Sequence, residues 1–250
     1  RAEAGLWLRR ALGVGLLLGL WQLAALFFPP LVVPPIPQVA ATLAELIREP
    51  DFWPTVGTTR LRLVTGLGIG IAAGAVLGLL FGLYPKLEDV GTPLIHVLQS
   101  VPPVCWVVLA LVWFGFNGRP CIFIVATATV PTVVINLSHG VRGVDRQLLE
   151  MARVFRVPVS RQLRGIYLPA VLPYFRSAVS LGLGLCWKSG AAAEVIGLPA
   201  GSIGEALYTA KVYFQTGDLF AWTAVIVTVS VIFERLFLRL VDAAVRKAGS

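Results

Sequence analysis

The sequence predicts an all-α, polytopic membrane protein, and three observations lead there. Hydrophobic residues make up 57% of the 250 and charged residues only 14%, whereas a soluble domain carries about 25% charged residues. So few charges cannot coat a compact soluble body, and mean hydropathy is +0.81. The apolar residues also fall in six long runs, each near the roughly 20 residues that a membrane helix needs. A β-barrel would instead show short alternating segments. Soluble globular, disordered and coiled-coil classes are excluded on the same grounds.

The runs, read in order, define a single membrane domain over 1–250. The first covers 11–28 and is stopped by Pro29-Pro30. No small-residue cleavage site follows it, so it is expected to be a retained helix and not a signal peptide. Residues 37–48 are short and amphipathic, with Val39, Leu43 and Leu46-Ile47 on the apolar side, and are expected to lie on the outer surface. The second run, 63–84, is stopped by Pro85. The third, 90–116, is broken near Pro102-Pro103. The fourth is 120–137, the fifth 170–193 with Lys188 inside it, and the sixth 219–240, with Glu234, Arg235 and Arg239 at its exit. Between the fourth and fifth lies an Arg-rich loop, 140–168, long enough to carry structure and a function of its own.

Net charge is +8. In a soluble protein this would suggest nucleic acid; here the positive-inside rule accounts for it, and no nucleic-acid partner is expected. With the N-terminus inside, the inner segments hold Arg1, Arg9, Arg10, Lys86, Arg142, Arg146, Arg153, Arg156, Arg161, Arg164, Arg176, Arg235, Arg239, Arg246 and Lys247. The outer ones hold Arg48, Arg60, Arg62, Arg119 and Lys211. Fifteen against five predicts both termini inside, with Arg60 and Arg62 as the weak point of the count.

Gly66, Gly70, Gly74, Gly78 and Gly82 recur at every fourth residue of the second run. In lipid such a stripe lets two backbones approach closely, either within one subunit or at a seam between two. Cys105, Cys121 and Cys186 lie in apolar runs without CxxC spacing and read as small buried hydrophobes. His96 and His139 are isolated. No HExxH, GxSxG or metal-spaced cluster occurs, so no enzyme class is indicated. Lys188-Ser189 resembles the end of a Walker A loop, but Trp187 replaces the required glycine. This chain therefore cannot hydrolyse ATP by that route.

The loop reads Asp145-Arg146-Gln147-Leu148-Leu149-Glu150-Met151-Ala152-Arg153, and later Ile166-Tyr167-Leu168-Pro169-Ala170-Val171-Leu172-Pro173. It resembles the "EAA…G…I-LP" signature of permease subunits of binding-protein-dependent ABC importers. Further matches are Val33-Pro34-Pro35, Pro37, Val39, Gln99, Val101-Pro102, Trp113-Phe114-Gly115, Gly118, Pro131, Asn136, Gly140, Asp145 and Ala193-Glu194. These resemble the nitrate, sulfonate, taurine and bicarbonate branch, over roughly 31–240. Two positions depart from the signature: Met151 stands at its second residue, and Arg156 where a glycine is usual. Arg156 is expected to weaken a sharp turn there, with Pro158 and Ser160 supplying a break and a new start.

The resemblance implies a permease in the bacterial inner membrane that acts as a homodimer. Its other implied partners are two cytoplasmic ATPase subunits, which hold ATP and magnesium, and an extracytoplasmic substrate-binding protein. No cofactor is expected in this chain. The loop is expected to form two short helices, 150–155 and 160–166, that dock in the ATPase. Asp145, Glu150, Met151, Ala152, Arg153, Phe155, Arg156 and Arg161 are the coupling candidates. Among these, Glu150 would accept a charge-assisted bond, Ala152 would leave room for close approach, and Phe155 would anchor.

A helix broken at Pro102-Pro103 is tolerated in a membrane where it lines a cavity or is buried in protein. The translocation candidates are Gln99, Pro102, Pro103, Trp106, Asn136, Trp187, Lys188 and Glu194. An ionisable residue inside a membrane span is a functional candidate. Lys188 reads either as a pathway residue or as a structural one, snorkelling or paired with Glu194. A small anion is the expected solute, with an aromatic or heterocyclic solute such as a thiamine precursor as the alternative. An ion-coupled secondary transporter would show inverted repeats and mid-membrane acids; neither is visible.

Overall fold

In the computed structural model of this chain, described for the backbone of residues 2–249 and the side chains of Arg9 and residues 12–243, every regular element is helical. In chain order the elements are α1 (Ala2–Phe27), α2 (Ile36–Leu46), α3 (Phe52–Leu83), α4 (Pro85–Ser100), α5 (Pro103–Phe114) and α6 (Arg119–Arg142). Then follow α7 (Arg146–Val154), α8 (Val159–Gln162), a π-turn (Leu163–Tyr167), α9 (Leu168–Gly197), α10 (Ile203–Val212) and α11 (Thr216–Gly249). The orientation count drew on Arg1, Arg10, Arg246 and Lys247, whose side chains lie outside the described residues.

Helices occupy all six expected runs, but their lengths differ from the expectation. Among the described residues, three are long and apolar enough to cross a membrane: Phe52–Leu83, Arg119–Arg142 and the continuous Val159–Gly197. α4 and α5 qualify only as a pair, bent by 96°. The bend has a local cause. Pro102 and Pro103 push the residues before them out of the helical region, and Val101 and Pro102 are extended, at ψ 124° and 138°. The apolar part of α1, Leu12–Phe27, rises only about 24 Å at 1.5 Å per residue, short of the roughly 30 Å hydrocarbon core.

The centre of the fold is the seam between α3 and α6. The five glycines of the stripe all face α6, so the stripe serves packing inside the subunit. A Cβ on Gly66 would stand 2.7 Å from the Ile122 carbonyl oxygen, and one on Gly74 would stand 2.6 Å from Val133 Cβ. Opposite the stripe, Val125, Thr129, Val133, Leu137 and Val141 also recur every fourth residue. The backbones can therefore approach to contact, which is what drives helix association in lipid, where water exclusion contributes nothing. α9 closes over this seam through Val179, Leu183 and Cys186, which join Leu63, Leu67 and Val125 in one core.

The amphipathic segment does not lie free on a surface. α2 buries Val39 and Leu46 in a second cluster with Phe52, Ala221, Trp222 and Val225. α10 was not anticipated, although its start is legible. Ser202 Oγ accepts from the Glu205 N–H at 3.0 Å, and a Glu205 carboxylate oxygen accepts from the Gly201 N–H at 2.6 Å, a variant of the capping box. Of the three cysteines, Cys121 and Cys186 are buried as expected and Cys105 is exposed.

Candidate functional site

One candidate site is the hairpin between α6 and α9. α7 starts at Arg146, earlier than the sequence suggested, because the Asp145 carboxylate accepts from the Gln147 N–H at 2.8 Å and caps it. At the other end, Val157 N–H donates to the Ala152 carbonyl at 2.8 Å and Arg156 N–H to the Arg153 carbonyl at 3.0 Å. This pair of bonds is a Schellman motif. Arg156 sits at its left-handed position with φ +50°. The sharp turn thus survives without the glycine, at the cost of placing an L-residue in that region. Ala152 is 1% exposed, buried within the chain itself.

The second short helix also differs from expectation. α8 covers only Val159–Gln162, and the π-turn carries it into α9 without a break. α8, the π-turn and α9 therefore form one continuous rod of 39 residues from hairpin to opposite end. Around the hairpin, Glu150, Arg153, Arg156 and Arg161 are exposed. So are Leu148, Met151, Val154, Phe155 and Val159, the last three at 70% or more. A contiguous exposed apolar patch ringed by charges marks an interaction surface.

Another candidate site is a cavity of about 250 Å³ at the α4–α5 break. Gln99, Val101, Pro103 and Trp106 line it from the break, Thr127, Pro131 and Thr132 from α6, and Leu185 from α9. The Trp106 indole N–H is buried without a partner among the described residues. Of the expected pathway residues, Gln99, Pro103 and Trp106 meet here, with Pro102 at the break itself. Asn136 lies one turn beyond Thr132, and its amide donates to the Thr132 carbonyl at 2.8 Å. Lys188 lies one turn beyond Leu185 on α9 and is exposed. Trp187 and Glu194 point elsewhere, into the subunit core.

Glu194 belongs to a polar cluster that joins α3, α9 and α10. It is fully buried, and Arg62 Nη1 stands 3.4 Å from Oε1. Thr59 Oγ1 donates to Oε2 at 2.8 Å and accepts from the Ile203 N–H at 3.0 Å. Arg62 also donates to the Ala200 carbonyl at 3.2 Å. The partner of Glu194 is therefore Arg62, and the proposed Lys188–Glu194 pair is not formed. Arg60 and Arg62, the weak point in the charge count, both sit within α3 instead of in a loop before it. Sequence reasoning missed Thr59 and Arg62 because pairing over more than 130 residues leaves no local pattern.

The two histidines are not isolated either. His96 and His139 line one cavity of about 190 Å³ with Glu88, Thr92 and Ser138. Glu88 pairs with Arg142 and accepts from Ser138 Oγ, tying α4 to α6.

Residues 66–247 match the family described as binding-protein-dependent transport system inner membrane component. The chain belongs to that family. The permease is 28% identical over 243 residues to the putative aliphatic sulfonates transport permease SsuC of Bacillus subtilis, covering 96% of this chain and 87% of that protein. It is 32% identical over 164 residues to the bicarbonate transport permease CmpB of Synechococcus elongatus, covering 66% of this chain and 58% of that one. It is 26% identical over 220 residues to the taurine transport permease TauC of Escherichia coli, covering 86% and 80%. Among solved structures, a bacterial ABC transporter involved in import of the acidic polysaccharide alginate matches at TM-score 0.62 and 16% identity, over 96% of each chain. An inward-facing MetNI methionine transporter matches at 0.57 and 18%, over 78% of the permease and 93% of that chain. These structures share the fold. The permease is thus a multi-pass membrane component of an ABC transport system, whose relatives are transport subunits.

Proposed function

We propose that two copies of this permease form the membrane pathway of an importer for a small anion of the sulfonate, nitrate or bicarbonate class, driven by a separate ATPase. The observation that carries this reading is the exposed apolar face of α7 and α8, at the start of a continuous rod that passes the cavity at Leu185. Two ATPase subunits on the cytoplasmic side bind ATP and magnesium, and an extracytoplasmic binding protein delivers the solute. The permease sits in the inner membrane with both termini inside, as a single domain.

The geometry suggests how the parts act together. Phe155, Met151 and Val154 seat in a groove of the ATPase, and Glu150 accepts a charge-assisted bond from a basic residue there. The capped turn resists deformation, so movement of the ATPase displaces α8. Because α8, the π-turn and α9 are continuous, that displacement reaches Leu185 and Lys188. No charged residue among the described ones lines the cavity at the break, and the Gln99 amide and Trp106 N–H offer neutral donors to an anion. Lys188, one turn away, lowers the barrier for a charge crossing hydrocarbon. The relatives named for sulfonates, bicarbonate and taurine support the anionic cargo.

The test is reconstitution of the permease with the neighbouring ATPase and binding protein in proteoliposomes, followed by uptake of labelled taurine, bicarbonate and an aromatic solute. ATP-dependent uptake of one of the anions is expected; uptake of the aromatic solute alone refutes the assigned cargo. Glu150→Lys should insert normally but lose the ATPase on co-purification, since breaking a buried interfacial charge contact costs about 2–5 kcal/mol. ATPase recovery at wild-type yield would count against the docking role.

A further inference from the structure

Beside the hairpin, a cleft of about 530 Å³ opens between α3, α6, the π-turn and the start of α9. Its wall is hydrocarbon, including Ala75, Leu79, Val141 and Phe175, with two exceptions at one end, Arg164 and Tyr167. Among the described residues, Arg164 is the only charged one that lines it. It is exposed and makes no ion pair among the described residues. The π-turn presents both exceptions, and such turns recur at functional sites. The geometry points to a site for an anionic phospholipid, its acyl chain in the cleft and its phosphate on Arg164 and the Tyr167 hydroxyl. It rests on the chain spanning a membrane and not on the cargo.

Charge selects this occupant. Ala75 to Leu83 spans about 12 Å of helix at 1.5 Å per residue, and the 530 Å³ beside it holds a stretch of hydrocarbon chain. The single cation at the end of an apolar cleft then selects an anionic headgroup over a zwitterionic one. Basic pockets between membrane helices on the cytoplasmic side have this chemistry. A lipid held there would join α3 and α6 to the segment that carries movement from the hairpin into α9.

The purified full chain is placed in mixed micelles with phosphatidylglycerol and phosphatidylcholine of identical acyl chains, and retained lipid is measured by mass spectrometry. Phosphatidylglycerol should be enriched at least fivefold. Arg164→Gln should reduce that enrichment about fivefold, the factor one basic residue is worth near anionic lipid, and Arg164→Lys should keep most of it. Ala75→Phe, which fills the cleft, should remove retention of both lipids from protein that stays monodisperse. Arg146→Gln, which removes an exposed basic residue outside the cleft, should leave lipid retention unchanged. Equal losses in the Arg146 and Arg164 variants would overturn the site in favour of general charge attraction. Full competition by glycerol phosphate would overturn the acyl chain's role. Unchanged lipid with an altered oligomeric state in Ala75→Phe would make the cleft an interface between copies.

Discussion

Removing either member of the Arg62–Glu194 pair should destabilise the permease, and removing both should cost little more than removing one. Glu194 is fully buried and Arg62 is 16% exposed, so the pair is screened weakly. Two charges about 4 Å apart attract by about 4 kcal/mol at the effective dielectric near a protein surface. Losing one partner of a buried pair typically costs about 3–5 kcal/mol. Arg62→Met leaves Glu194 with the Thr59 hydroxyl, which holds the loss to about 3 kcal/mol. Glu194→Gln keeps the volume and leaves Arg62 its bond to Ala200, for about 2 kcal/mol. The double variant should lose about 3 kcal/mol, a coupling of about 2 kcal/mol, inside the range measured for contacting residues. Equilibrium unfolding in mixed micelles of dodecyl maltoside and SDS, run as a double-mutant cycle, reads all three values. Additivity within about 0.5 kcal/mol would refute the pairing. So would a coupling of that size between Glu194→Gln and Lys188→Met.

Three further outcomes follow from the same geometry. Gly74→Leu should lose about 3 kcal/mol, the upper end of overpacking costs, because its first carbon already stands 2.6 Å from Val133 Cβ. Gly68→Leu, with nothing within 4 Å of a Cβ, should stay within about 0.5 kcal/mol in the same unfolding assay. Arg156→Gly should raise stability by about 0.5–1 kcal/mol by relieving a left-handed conformation that costs an L-residue about 1–2 kcal/mol. Arg156→Ala should not, and a gain there would mean that charge and not backbone is responsible. Lys188→Met should assemble normally and transport at least tenfold more slowly, equivalent to about 1.4 kcal/mol on the barrier. Wild-type uptake rates would remove Lys188 from the pathway.

Much of the candidate site was legible without coordinates. The run from Glu150 to Phe155 and the break at Pro158 place a short helix between two spans, since proline rules act over a few residues; the Asp145 cap that starts it at Arg146 was not read from the sequence. Pro102-Pro103 locates the helix break for the same reason, and Gln99 and Trp106 fall around it. The fate of Arg156 was not legible. A glycine-free turn reads as a weak one until the two Schellman bonds show the backbone holding the arginine there.

The sequence by itself determined the medium, the class and the places of the helices other than α10. Composition and apolar run length are sums over neighbouring residues, and in lipid a backbone has almost no alternative to a helix. It also determined that α3 carries a close-contact face, because the glycine spacing is intrinsic to one helix. Only the tertiary structure decided what that face meets, namely the matching fourfold repeat of α6, and that Glu194 belongs to Arg62 and Thr59 rather than to Lys188. The same holds for His96 and His139 sharing one cavity with Glu88. These pairings join side chains 40 to more than 130 residues apart. Their partners are chosen by how the helices pack, and nothing in the local chain encodes which face will meet which.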